Sequence, residues 1–145
     1  ALEKIRLYED DTFYAEVTKE FVESTSPINT ALIGRRYQFA ALHQLEQGFA
    51  HGHQYELWVS IKGPIPLDTG QIISLPVLDQ IVNHEILQRW EQKNISHDPL
   101  FSDTSVTDLS LAKQCWSLLR PHFSTPPLHQ VSISQQSETF ATFSE

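Results

Sequence analysis

The chain has 145 residues, enough for one domain with a single core and too few for two of ordinary size. Its formal charge of -8, with ten scattered Lys and Arg, disfavours a phosphate-binding groove, so no nucleic-acid partner is expected. A 40% hydrophobic and 19% charged composition excludes wholesale disorder, and no apolar run reaches membrane-spanning length.

The N-terminus carries no basic-then-apolar signal pattern, so a soluble, cytoplasmic chain with no membrane partner is expected. Methionine is absent even at position 1, which reads as a processed chain or a fragment. One cysteine, Cys115, permits no internal disulfide, so the fold must be held by packing.

Residues 1–34 read as an N-terminal extension, acidic in "YEDDTFYAEVTKEFVEST" and ending in the connection-like "SPINTALIG". Within it the pattern allows a strand around Thr12–Val17 or a helix around Glu16–Val22 and does not choose. A single domain is expected over 35–145. It opens with "RRYQFAALHQL", where Tyr37, Phe39, Ala41, His43 and Leu45 share one strand face. A second strand alternates through His53–Lys62, with Trp58 a large aromatic on its polar side that hints at a covered or partnered sheet face.

The segment "KGPIPLDTGQ" is a loop. Leu78, Val82, Ile86 and Trp90 then recur at helical spacing from Leu75, and Pro76 is tolerable in a first helical turn, where no amide donor is needed. After the loop "NISHDPLFSDTS", Leu111, Ala112, Cys115, Leu118 and Leu119 mark a second helix ended by Pro121. His129–Gln135 and Thr139–Phe143 alternate as a closing hairpin. The order strand, strand, helix, helix, strand, strand predicts an α+β fold, ββααββ, with a four-stranded antiparallel sheet and two helices on one face. No internal repeat is visible beyond that rough symmetry.

The second strand begins "HGHQY", and period-two alternation turns His51 and His53 to the same side as Tyr55, Leu57, Val59 and Ile61. His43 lies on the apolar face of the neighbouring strand. A hairpin would gather the three imidazoles, and three neutral imidazoles with one open position are a catalytic zinc arrangement. Spacing alone leaves hydrogen-bonded core or rim histidines equally open. His84, His97, His122 and His129 have no ligand-like spacing, although a shifted loop would bring His97 and Asp98 towards the site. Asn94-Ile95-Ser96 matches a glycosylation acceptor by chance composition.

"FAALHQL", "HGHQYELWVSIKG" and "DTGQIISLPVLDQIV", in that order and from about Arg35 onward, resemble the 6-pyruvoyl-tetrahydropterin synthase and 6-carboxy-tetrahydropterin synthase family. The resemblance implies the tunnelling fold (T-fold), a ββααββ subunit that oligomerises into a barrel, so a homo-oligomer (trimer or hexamer) or a subunit of an assembly is expected. It implies His43, His51 and His53 as zinc ligands and a pterin-like small molecule as ligand. In that family zinc activates an oxygen of a dihydropterin triphosphate side chain while a cysteine moves protons.

The family's other chemical groups are replaced here. No cysteine stands in "EQGFA" before His51, and Cys115 falls in an apolar helical stripe, the place of a small core residue. The family's Asp-His pair corresponds to Glu91 and Gln92, and Gln92 does not titrate. Its two pterin-gripping glutamates correspond to Leu109 and Gln135, which accept fewer hydrogen bonds from a guanidine-like edge. Loss of a general base commonly costs on the order of a hundred to ten thousand in rate. The expectation is therefore a zinc-binding homologue with lost or altered catalysis. Its alternatives are an active zinc-dependent lyase with Glu46 as base, and a non-catalytic structural subunit whose contacts include Trp58 and the N-terminal extension.

Overall fold

The computed structural model describes residues 3–18, 30–44, 48–135 and 140–144. Six antiparallel strands lie side by side in sequence order. They are β1 (Lys4–Asp10), β2 (Phe13–Thr18), β3 (Thr30–Gln44), β4 (Ala50–Pro64), β5 (Leu128–Gln135) and β6 (Phe140–Ser144). Helix α1, residues 75–90, is α-helical over Leu75–Val82 and Gln88–Trp90 and widens into a π turn over Asn83–Leu87. Helix α2 (Asp108–Leu119) follows, its first turn closed by a reciprocal Thr107 and Ser110 capping box. Among the described residues no helix is long and apolar enough to cross a membrane.

Strand alternation and the helical stripes meet as expected. Leu57, Val59 and Ile61 of β4 and Leu78, Val82 and Ile86 of α1 are all 0% exposed, in one cluster with Leu111, Cys115 and Leu119 of α2. Burying each such side chain contributes about 1.5–3 kcal/mol, so this shared face holds the helices on the sheet. Burial also pushes the Cys115 thiol well up, which keeps it an inert core residue.

The N-terminal third differs from the four-strand expectation. β3 begins at Thr30 and runs through the expected boundary at residues 34 and 35, and β1 and β2 extend the sheet beyond it. Of the two alternatives for residues 12–22, Phe13–Thr18 is strand, and the remainder lies outside the described residues. Gly34 is there for a close approach and not for a turn: a Cβ would stand 2.2 Å from the Tyr14 ring lying over it. The Tyr14 hydroxyl and the buried Ser60 hydroxyl are 3.2 Å apart, and the Tyr14 ring packs 5.4 Å from Trp58. The hairpin thus covers the aromatic that stood out on the polar face of β4.

Two carboxylates fasten the helical layer. Asp79 of α1 accepts the Tyr37 hydroxyl at 2.7 Å and Arg35 at 3.3 Å. Asp98 accepts two Arg89 donors at 2.6 and 3.0 Å and Trp90 Nε1 at 3.0 Å, which takes it away from the histidines and into the end of α1. Burial works to raise the Asp98 pKa, but the hydrogen bonds from Arg89, Leu100 N–H and Trp90 outweigh it and hold the carboxyl below its usual range. A depressed carboxyl stabilises the fold above its unfolded pKa and loses that contribution as pH falls through the folded value. Asp98→Asn is therefore expected to cost about 2 kcal/mol at pH 7 in urea denaturation. The deficit relative to wild type should shrink as the pH is lowered below about 4.

Candidate functional site

The histidines meet because β3 and β4 pair without a break from Thr30 opposite Pro64 to Gln44 opposite Ala50. That register sets His43 opposite His51 and places His53 opposite Ala41, one step deeper on the same face. His43 and His53 bring their Nε2 atoms to 3.0 Å, with ring centroids 4.9 Å apart. His51, at the exposed start of β4, keeps its ring 6.4 Å from His43 and 6.5 Å from His53. Tyr55 forms the floor, stacked on Phe39 at 5.2 Å and edge-on to His53. Its phenol is pushed up to about 12, first by burial and then by Asp108.

His43 is 8% exposed, and its Nδ1 has no hydrogen-bond partner among the described residues. Burial, then the neighbouring His53 and His51, lowers its pKa, which keeps the imidazole neutral. An unpaired buried donor or acceptor costs about 1–3 kcal/mol, a penalty that a satisfied core histidine does not carry.

The donor set fits zinc in kind: three imidazoles on one sheet face, with His43 held neutral by burial. Zinc–nitrogen bonds of about 2 Å in a tetrahedron put imidazole centroids about 5 Å apart. His43 and His53 already have that separation, while His51 would have to close by about 1 Å. Among the described residues no three His, Cys, Asp or Glu side chains stand together at metal-holding geometry.

Residues 91–96 close the free edge of β3 beside this pair. Gln92 N–H donates to the Ala40 carbonyl at 2.7 Å, Ala40 N–H to Glu91 Oε2 at 3.2 Å, and Leu42 N–H to the Lys93 carbonyl at 2.9 Å. Glu91 therefore clamps strand backbone. The same turn carries Gln92 at φ +57, a left-handed conformation uncommon for a residue with a Cβ. Gln92 lines a shallow cavity of about 290 Å3 with His53, Gly52, Ala40, Ala41 and Leu42. Backbone strain retained at a cavity wall marks the side chain it places there.

On the other flank, Gln135 Nε2 donates to Asp108 Oδ1 at 2.8 Å. The charge of Asp108 reaches both rings, adding to the upward shift of Tyr55 and only partly opposing the downward shift of His43, whereas Leu109 is 51% exposed. Asp108 is not singled out by the family correspondence, which falls on the next position, Leu109. The available signal was an acidic residue directly after the Thr107 cap, at the positive end of a helix. Glu46 lies outside the described residues.

A sequence profile of the family described as 6-pyruvoyl tetrahydropterin synthase matches residues 32–145. The chain belongs to this family. It is 25% identical to 6-pyruvoyl tetrahydrobiopterin synthase of Drosophila melanogaster over 132 residues, which cover 78% of this chain and 79% of that protein. The Homo sapiens protein of the same name is also 25% identical, over 131 residues covering 78% of this chain and 90% of its own.

Among solved structures, Caenorhabditis elegans 6-pyruvoyl tetrahydropterin synthase superposes with a TM-score of 0.74 at 21% identity, covering 83% of this chain and 99% of its own. A Plasmodium vivax 6-pyruvoyltetrahydropterin synthase altered at a catalytic glutamate gives a TM-score of 0.62 at 16% identity, covering 81% and 98%. These likenesses establish the tunnelling fold for the sheet and helices described above.

A glycine adopts φ near +60 without steric cost. Gln92→Gly is accordingly expected to leave thermal stability within about 1 kcal/mol of wild type, measured by calorimetry, while removing the amide from the cavity wall.

Proposed function

We propose that the chain is a zinc-binding tunnelling-fold protein of pterin-synthase descent whose catalysis is altered or lost, assembled as a homo-oligomer or as a subunit of a larger assembly. The observation that carries this reading is the His43 and His53 pair, with Nε2 atoms 3.0 Å apart, opening beside a cavity whose other polar wall is an amide, Gln92. His43, His51 and His53 would hold the metal, which when bound supplies Lewis-acid activation of a ligand oxygen.

The remaining steps belong to the chain's own groups. Asp108 and Gln135, joined by their hydrogen bond, keep Asp108 Oδ2 and Gln135 Oε1 available to accept from a paired N–H edge such as that of a pterin. Tyr55 and Phe39 give the ligand an apolar floor. Glu91 spends its carboxylate on Ala40 N–H, which fits a positioning role better than a share in proton transfer at the place of the family's Asp-His pair. Gln92 orients a ligand by hydrogen bonding and relays no proton. A base must come from elsewhere or be missing.

A second reading, an active lyase with Glu46 as base, is favoured by one comparison: the Plasmodium vivax relative has a catalytic glutamate. A third, a purely structural subunit, would leave the three histidines as inherited packing.

Elemental analysis of the purified chain is expected to find about one zinc per chain, lost in both His43→Ala and His53→Ala, with no turnover of dihydroneopterin triphosphate. A folded, metal-free parent would overturn the proposal in favour of the structural reading. Chelator-sensitive turnover abolished in Glu46→Gln, with zinc retained, would establish the lyase.

A further inference from the structure

The N-terminal hairpin and the C-terminal hairpin share one pairing register. β1 pairs with β2 as Lys4 opposite Thr18, Ile5 opposite Val17, Arg6 opposite Glu16, Leu7 opposite Ala15 and Tyr8 opposite Tyr14. β5 pairs with β6 as Gln130 opposite Ser144, Val131 opposite Phe143, Ser132 opposite Thr142, Ile133 opposite Ala141 and Ser134 opposite Phe140. Lys4 to Gln130 is a step of 126, Thr18 to Ser144 is a step of 126, and all five pairs through Tyr8 opposite Tyr14 keep it; the further pair Asp10 opposite Phe13, beyond a bulge, corresponds to positions outside the described residues. The residue types at matched positions follow: Ile5 and Val131, Leu7 and Ile133, Tyr14 and Phe140, Ala15 and Ala141, Val17 and Phe143. Glu9 falls where Gln135 of the candidate site falls. Matching register, loop length and apolar positions together is far more specific than a shared β propensity.

The two copies differ in what covers them. Val131 and Ile133 are 0% exposed, because α2 lies across β5 and β6 with Trp116 packed 5.5 Å from Phe143. Ile5 and Leu7, at the twin positions and on the same face of the continuous sheet, are 38% and 69% exposed, and neither α1 nor α2 packs across β1 as α2 packs across β5. A strand face patterned for burial is thus left open in one copy and covered in the other.

We propose that residues 4–18 are the closing hairpin of a second tunnelling-fold unit, and that Ile5 and Leu7 are the surface on which a helix of that unit packs, as α2 packs on Val131 and Ile133. The pairing of β2 with β3, Ala15 opposite Ile33 and Tyr14 over Gly34, is then the junction between two units within one continuous sheet. The partner is a copy of this domain's strand pair and helix pair, and its contact is apolar.

The test supplies that unit. A copy of residues 30–129 is fused directly ahead of Lys4, so that the added strands and helices run into residues 4–18 as their own closing hairpin. Leu7→Cys is placed in this fusion and in the 145-residue chain, and both are labelled with a maleimide; Cys115, fully buried, is a silent background. Labelling on the order of tenfold slower in the fusion is the expected result. Equal rates in a fusion that circular dichroism shows to be folded would overturn the proposal.

Should the fusion not fold, a transplant decides: residues 4–17 replace residues 130–143 under α2 in the single chain. A thermal midpoint well above that of a transplant with the same residues shuffled supports the equivalence, and one no higher overturns it.

Discussion

The unbroken antiparallel pairing of β3 with β4 is the constraint on which the rest depends. Over fifteen residues on each strand it leaves no bulge in which parity could change, so one residue's facing determines every other's. The same parity that sends Leu57, Val59 and Ile61 under the helices sends His51 and His53 to that side at the strand's opening. A slip of one position would expose the core and scatter the histidines together. Fold stability and the candidate site are two consequences of a single register.

The helical layer serves the site by closing its edges. β3 is longer than the strand that pairs with its outer side: β2 covers it at residues 32–35, and the turn after α1 takes over at residues 40–42. Ala40 has both backbone groups engaged by that turn, and the cost is a left-handed Gln92 held against the cavity. Asp98 fastens the end of α1 through Arg89 and Trp90, so the turn is carried on a rigid helix. Carboxylates suggested by the sequence as chemistry, Glu91 and Asp98, are both used to hold backbone and helix in place.

The chemical character of the site follows from what surrounds the imidazoles. Burial keeps His43 neutral, as a metal ligand must be, and Tyr55 stays protonated under the same low-dielectric conditions. Asp108 brings the one negative charge felt by both, and Gln135 fixes it through the amide. A neutral His43, a hydrogen-bonded Asp108 and Gln135 pair and a non-titrating Gln92 amide are the features on which the proposed reading, a site that grips and polarises a ligand, rests.

Much of this was legible in the sequence. Period-two and 3.6 patterns located β4, both helices and the closing hairpin, because their apolar residues face a shared core and local alternation records burial directly. The three histidines on one face followed from the same arithmetic. Contacts decided by partners far along the chain were not legible. β1 reads only as part of an N-terminal extension until its register with β2 is known, since Ile5 and Leu7 stay exposed and no buried face marks the strand. Gly34 reads as a loop glycine until Tyr14 is laid on it. Leu109 holds the place of the family's carboxylate, yet Asp108 is the residue bonded to Gln135, because a helix turns adjacent side chains about 100 degrees apart and only its docking on the sheet selects between them. The sequence by itself determined which faces are apolar and which side the imidazoles share. Which strands lie next to one another, and so which distant side chains meet, was decided by packing, whose partners no local pattern records.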